Sequence, residues 1–293
     1  MTKILAGIVL YNPEIAKLRE NVAAVSPQVS RVVLVDNGSN NVESAALICD
    51  EYPNVSLIRN RENMGVAKAL NIMFRYGGSI GAQWVLTLDQ DSRVDDSFIE
   101  ECSHLMKKED VVSISTLRRN RGIDRKTEYN ESLSVETVNH CITSGNIVRL
   151  SAWKEIKGFN EALFIDCVDY EFCYRLRMAG YAIHRLNKVL LTHEVGRREE
   201  RLFFGKKILT NNYSPMRRYY ISRNNVYLHR FIPLSRETET FWGGYMKDHV
   251  IKVLLYETNK FEKLKACIRG IVDGLRMKEY DFPSENVLTN SDE

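Results

Sequence analysis

A chain of 293 residues, 44% hydrophobic and 27% charged, can bury a sizeable core, which excludes wholesale disorder. Its net charge of +3 is too small to imply nucleic-acid binding, and no apolar stretch approaches the roughly 18 residues of a membrane span. The first apolar segment is too short for a secretory signal, and the six cysteines lack Cys-x-x-Cys spacing, so neither a zinc site nor a disulfide framework is expected and a reduced, cytoplasmic setting is.

In chain order, Ile4 to Tyr11 reads as a buried strand, ended by Asn12-Pro13, which opens a helix through Val25. Arg31 to Val35 is a second buried strand closed by Asp36-Asn37-Gly38-Ser39, and a helical stretch leads to the strand Val55 to Ile58. Asn63-Met64-Gly65 opens a helix carrying Val66, Ala69, Leu70 and Met73 at helical spacing, stopped at Gly77-Gly78. The strand Trp84 to Leu88 then runs into Asp89-Gln90-Asp91-Ser92. This alternation of strand and helix predicts a mostly parallel sheet with helices on both faces.

Further on, a helix over 95–107 and a strand Val111 to Leu117 precede a polar stretch, Arg118 to Glu136, read as a loop. Thr143 to Arg149 reads as a strand; Ser151 is expected to cap a short helix through Ile156, and Asp166 to cap the next, with Phe172, Leu176 and Ala179 on one face. Val189 to His193 is the last strand, the basic stretch from Gly196 to Asn212 reads as a mobile segment, and helices are expected over 214–230, 236–258 and 261–278. The division predicted is an α/β domain over 1–212, its first half ending near 92, and a helical region over 213–293.

Several candidate sites fall on one sheet edge, past the C-terminal ends of strands, where open α/β sheets bind ligands. In extended backbone Asp89 and Asp91 would point the same way, and two such carboxylates suit a hard divalent cation, Mg²⁺ or Mn²⁺, that also grips phosphates. Asp36 closes the second strand, where it is either a plain turn residue or an acceptor for a base or ribose. Asn63-x-Gly65 opens a helix whose N-terminus favours an anion. A P-loop and a Gly-x-Gly-x-x-Gly fingerprint are both missing, which argues against those nucleotide folds. Asp169, taken alone, is a first-turn helix aspartate in favourable contact with the macrodipole.

The order and spacing of these motifs resemble those of family 2 glycosyltransferases of the GT-A fold. The matching residues are Val9-Leu10-Tyr11-Asn12, Val35-Asp36-Asn37-Gly38-Ser39, Asn63-x-Gly65-x-Ala67-x-Ala69-x-Asn71, Leu88-Asp89-Gln90-Asp91, Ser144-Gly145, Gly158-Phe159-Asn160-Glu161 and Phe164-Ile165-Asp166-x-x-Asp169-x-Glu171-x-x-x-Arg175. Leu-Asp-Gln-Asp-Ser and Phe-Ile-Asp-x-x-Asp are similar to bacterial rhamnosyltransferases that use dTDP-L-rhamnose. The resemblance implies an inverting, metal-dependent enzyme that glycosylates a lipid-diphosphate-linked or oligosaccharide acceptor in surface polysaccharide synthesis, at the inner face of the membrane.

On matching positions it implies Asp169 as the catalytic base; Tyr11, Asn12, Asp36, Asn63, Lys68, Asp89, Arg218 and Arg223 at the donor; and Asp91 and His193 on the metal. Ser144, Gly145, Asp166 and Glu171 fall on the acceptor side, although Asp166 and Glu171 read otherwise as a cap and a solvent-facing residue. Val168 stands where the family has glutamate before its catalytic aspartate, a departure that leaves the base but alters acceptor contacts. The apolar residues of the C-terminal helices suit packing or a homodimer first and peripheral membrane contact second. A sugar-1-phosphate nucleotidyltransferase would need a Gly-rich N-terminal loop with arginine, which Leu10-Tyr11-Asn12-Pro13 does not offer. A non-catalytic polysaccharide- or membrane-binding module would leave the aspartates without a purpose.

Overall fold

The structure, a computed structural model, describes residues 2–120, 134–193, 199–203, 206–232 and 246–282. The chain divides into two compact units that interleave along the sequence. One holds Met1–Glu161 and Phe172–Glu194, with Phe282; the other holds Ala162–Glu171 and Val195–Asp281.

The first unit is built on β1 (Ile4–Leu10), α1 (Ile15–Val25), β2 (Arg31–Asp36), α2 (Val42–Glu51), β3 (Val55–Arg59), α3 (Val66–Ser79) and β4 (Trp84–Asp89). It continues through β5 (Ser92–Val94), α4 (Phe98–Met106), β6 (Val111–Asn120), β7 (Val135–Val138), β8 (Asn146–Arg149), α5 (Leu150–Glu155), most of α6 (Val168–Met178) and β9 (Ala182–His193). The sheet runs β3-β2-β1-β4-β8-β6-β9-β5, with β7 on β9. Its first four strands are parallel, whereas β8 runs antiparallel to both β4 and β6. The parallel series predicted from sequence therefore holds up to β4, where a mixed set takes over.

Alternation along these strands explains how both faces are covered. Ile4, Ala6, Ile8 and Leu10 of β1, Val32 and Leu34 of β2, and Trp84, Leu86 and Leu88 of β4 share one core cluster with α1, α2 and α4. The opposite face carries Leu5, Gly7 and Val85 and meets α3, whose Met73 side chain occupies the space a β-carbon on Gly7 would need. Only glycine at position 7 lets that helix approach.

Several boundaries differ from the expectation for identifiable reasons. β6 runs on to Asn120 and β7 starts at Val135, so both described ends of the stretch read as a loop lie in strands while 121–133 lie outside the described residues, and β9 is a 12-residue strand rather than a five-residue one. Ser151 lies inside α5, whose N-cap is Arg149, and makes no cap hydrogen bond there.

The second unit contains β10 (Glu199–Phe203) paired antiparallel with β11 (Lys206–Thr210), then α7 (Pro215–Phe231), α8 (Met246–Tyr256) and α9 (Lys260–Arg276). The stretch expected to be mobile thus includes a hairpin. Ser214 caps α7, its hydroxyl accepting from the Arg217 amide at 3.3 Å with proline following at the first helical position. The second C-terminal helix is described only from Met246, so the predicted 236–245 portion lies outside the described residues. Among those residues no helix is long and apolar enough to cross a membrane.

Candidate active site

In the first unit, β2 ends at Asp36, which is 1% exposed. Its Oδ2 accepts from the Gly38 and Ser39 amides, each at 3.0 Å, which folds the turn. Gly38 has φ +78°, and a β-carbon there would lie 2.8 Å from the Glu62 backbone, so the turn requires glycine. Asp36 Oδ1 is buried and has no hydrogen-bond partner. A buried acceptor left open costs free energy unless something donates to it, so this oxygen is a candidate ligand contact.

Neighbouring loops brace this turn. Asn37 donates to the Gly65 carbonyl at 3.1 Å, and Asn60 donates to Asn37 at 3.0 Å. Asn63 Oδ1 accepts from the Gly65 amide at 2.9 Å at the start of α3, so this asparagine shapes the loop that carries it. Asn12 Oδ1 accepts from the Asn40 amide at 2.9 Å, while its own amide donates to Ser39. Tyr11 is 49% exposed, with its backbone held by Gln90: the Tyr11 amide donates to Oε1 at 2.8 Å and Nε2 donates to its carbonyl at 3.3 Å. The sequence shows Gln90 only as part of the Leu-Asp-Gln-Asp-Ser motif, since nothing local announces a contact 79 residues away.

Asp89 closes β4, but Gln90 and Asp91 form a turn before β5. The extended-backbone argument for a shared face therefore stops at Asp89, and the turn itself sets how Asp91 is presented. That turn is fixed from three sides. Asn21 of α1 donates to the Asp89 carbonyl at 2.9 Å, the Asp89 amide donates to Ser144 Oγ at 3.0 Å, and Ser144 donates to the buried Ser92 hydroxyl at 2.8 Å. The Gly145 amide donates to the Thr87 carbonyl at 2.8 Å. Ser144 and Gly145 thus tie the far half of the sheet to the exit of β4. β5 pairs with β9 so that Ser92 faces His193 in register, which brings the His193 backbone beside the residue following Asp91.

Lys68 of α3 forms a 3.0 Å ion pair with Glu161. Asn71, 3% exposed, joins α3 to the Gly158-Phe159-Asn160-Glu161 segment: its Oδ1 accepts from the Phe159 amide (2.8 Å) and the Trp153 indole (3.2 Å). Its Nδ2 donates to the Phe159 carbonyl at 2.9 Å and to Glu161 at 2.8 Å. The asparagine ending the Asn63-to-Asn71 motif is therefore a bracket inside the fold.

In the second unit, Asp169 is half-buried in the first turn of α6, and its Oδ1 accepts from the Tyr170 amide. The approach to it is strained: Phe164, Asp166 and Cys167 have φ of 64°, 64° and 65°. Left-handed backbone in such residues costs on the order of 1–3 kcal/mol each and persists only where the surroundings enforce it. Asp166 does not cap α6; its carboxylate pairs with Arg217 at 3.0 Å. Glu171 is 4% exposed, so it does not face solvent. Burial pushes the Cys167 thiol well above its ordinary pKa, and the nearby Asp166 and Asp169 charges add to the rise.

Two expected donor residues have structural occupations in that unit. Arg218 is 1% exposed and bonds to Glu257, itself 3% exposed and also bonded to Lys263 at 3.0 Å. In this structure the Arg218 guanidinium is enclosed with the Glu257 carboxylate. Arg223 donates to the Ala162 and Leu163 carbonyls and lies over the Tyr220 ring, 4.7 Å from its centroid. It organises the segment before Asp169 and is not a free cation there. The His193 side chain lies outside the described residues, and among those described no three His, Cys, Asp or Glu side chains converge on one point.

Comparison with known proteins agrees with this arrangement. The family described as Glycosyl transferase family 2 matches residues 6–165. The chain is 30% identical over 292 residues to the dTDP-rhamnosyl transferase RfbF of Shigella flexneri, covering 94% of this chain and 96% of that protein. Among solved structures, Staphylococcus aureus TarS 1-349 in complex with UDP is similar with a TM-score of 0.58 at 15% identity, covering 94% of this chain and 80% of that one. GalNAc-T7 with UDP, GalNAc and Mn²⁺ is similar with a TM-score of 0.59 at 13% identity, covering 94% and 56%. At those identities the two structures speak for the fold alone, a GT-A fold.

Proposed function

We propose, since the chain belongs to glycosyl transferase family 2, that it transfers L-rhamnose from dTDP-L-rhamnose to a hydroxyl of an oligosaccharide or lipid-diphosphate-linked acceptor in bacterial surface polysaccharide synthesis. The similarity to a dTDP-rhamnosyl transferase along nearly the whole of both chains carries this reading. The open, buried Asp36 Oδ1 supports the nucleotide part, because an ionised carboxylate accepts only and a thymine ring offers an N–H donor. Tyr11, Asn12, Asn63 and Asp89 complete the proposed donor contacts, with Lys68 beside them through Glu161.

In the reaction, the acceptor oxygen attacks the anomeric carbon of rhamnose as the bond from that carbon to the diphosphate oxygen breaks, which inverts the centre. Asp169 takes the proton from the attacking hydroxyl, and dTDP departs. Ser144 and Gly145 shape the acceptor side by fixing the exit of β4, and Asp166 and Glu171 flank the base on its own segment. The carboxylate of Asp91, with His193 brought into register across from Ser92, fits a hard divalent cation, Mg²⁺ or Mn²⁺. When bound, the cation supplies charge neutralisation to the leaving diphosphate.

The C-terminal helices expose Ile251, Leu254, Leu255, Phe261, Ile268 and Leu275 among basic residues. This face supports a surface contact close to the acceptor's membrane, at the cytoplasmic side, or with a second copy of the chain. Flotation with anionic vesicles, set beside a solution mass, separates those two uses.

A donor screen that detects nucleotide diphosphate release tests the reaction itself. Turnover with dTDP-L-rhamnose and none with UDP- or GDP-sugars is expected. Preference for a UDP-sugar would overturn the sugar assignment while leaving transfer intact, and binding of no nucleotide at all would favour a non-catalytic module.

A further inference from the structure

The strained approach to Asp169 lies against one face of α7. Arg217, Tyr220 and Asn224 sit at i, i+3 and i+7, so they share a face of that helix. Each touches the 162–167 segment. Arg217 pairs with the Asp166 carboxylate at 3.0 Å, and Tyr220 stacks on Phe164 with ring centroids 4.7 Å apart. Asn224, fully buried, aims its amide nitrogen at three carbonyls: Leu163 at 2.8 Å, Ile165 at 2.8 Å and Asp166 at 2.9 Å. Three carbonyls turned toward one donor is the arrangement that left-handed residues at 164, 166 and 167 make available. Arg223 closes the set: it donates to the carbonyls of Ala162 and Leu163, and its Nε donates to Asn224 Oδ1 at 3.0 Å, which fixes which end of the amide faces the turn.

We infer that Asn224 is a positioning residue for the glycosyl transfer, holding the left-handed turn 163–167 so that Asp169 enters α6 at the angle the reaction needs. This rests on the reading of Asp169 as the base. The turn has no glycine to make its conformation easy, so the donor that gathers its carbonyls has to supply the order. Removing that donor leaves the carbonyls without their shared partner and lets the backbone relax toward right-handed or extended conformations. Asp169, two residues beyond the turn, moves with it. Displacements of about 1 Å in a reacting group lower rates on the order of 10²-fold.

Asn224→Asp tests this, because it keeps the shape and the acceptor for Arg223 and replaces the donor by a carboxylate oxygen that repels the three carbonyls. The expected result is a drop in kcat of about 10²-fold, a donor KM within about twofold of the parent, and faster amide hydrogen exchange across 162–171. In an Asp169→Asn background the same substitution should add less than about twofold further loss, since both act through one group. Arg217→Gln, at a part-exposed position, should give a smaller loss of kcat in the same direction; it serves if Asn224→Asp does not fold. Normal kcat in both single variants, unchanged exchange across 162–171, or equal losses with and without Asp169 would each overturn the inference. Normal transfer by Asp169→Asn alone would instead overturn the base assignment, and the exchange measurement would then still decide whether Asn224 holds the turn.

Discussion

Asp36 divides its work between two oxygens. One folds the turn by accepting from two amides, and the other is buried without a hydrogen-bond partner. Asp169 sits in a contrasting setting, half-buried at the start of a helix after a strained turn. If it is the base, Asp169→Asn binds dTDP as tightly as the parent, because binding does not use the proton it would take. Transfer then falls by about 10²–10⁴-fold. Isothermal titration beside a turnover assay checks both halves, and near-normal transfer would sink the assignment. Asp91→Ala and chelation with EDTA are expected to weaken donor binding and transfer together, with Mn²⁺ or Mg²⁺ restoring the chelated parent but not the variant. Full turnover in EDTA would remove the cation from the mechanism.

At the scale of elements, the strands β1 to β4 are readable from sequence because each is a continuous apolar run that stops at a turn residue. The short strands β5, β7, β10 and β11 are not, since they are three to five residues long and owe their existence to partners far along the chain. The site shows the same division. The aspartates at strand ends were legible because position and residue type coincide there. The roles of Gln90, Asn71 and Asn224 were not, because each is defined by contacts across 58 to 90 residues. Arg218 is read from sequence as one cation in a basic stretch, and its burial against Glu257 becomes visible only in the fold.

Helix packing carries a prediction of its own. Gly270 and Gly274 of α9 lie so close to α7 that a β-carbon would meet the Tyr219 carbonyl at 2.4 Å or the Arg223 carbonyl at 2.6 Å. Backbone cannot move aside as a side chain can, so Gly270→Ala should destabilise the second unit by about 1–3 kcal/mol. Urea unfolding followed by tryptophan-independent circular dichroism reads that change; an unaltered midpoint would mean that the helices have room to part.

For the whole molecule, the interleaved units mean that the residues before and within the first turn of α6 belong with the C-terminal helices rather than with the sheet. The second unit is held internally by Glu257, which bonds to Thr210 at 2.7 Å, to Lys263 at 3.0 Å and to Arg218. Burial pulls the Glu257 carboxyl upward, but the hydrogen bonds from Thr210 and Lys263 and the two positive charges outweigh it and hold the group below its ordinary value. Its folded value is lowered, so its contribution to stability is complete above the ordinary glutamate range and is lost as pH falls through that lower value. Glu257→Gln leaves two buried cations without their counter-charge and should cost about 3–5 kcal/mol. The variant should also lose part of the acid limb of the parent's stability curve, measured by urea unfolding across pH.

The reversal of strand direction at β4 has a consequence for how this enzyme can be cut or recombined. One flank of β4 is parallel to β1, and the other is closed by β8, whose residues pair with ones 59 positions or more earlier in the chain. A fragment ending near Lys107 would keep every motif of the nucleotide side, yet it would present the backbone groups of β4 along an open, apolar border. Such a fragment should associate with itself rather than bind nucleotide as a monomer. Donor recognition in this chain is therefore not a portable cassette, and exchanging nucleotide specificity between relatives calls for grafting loops rather than halves.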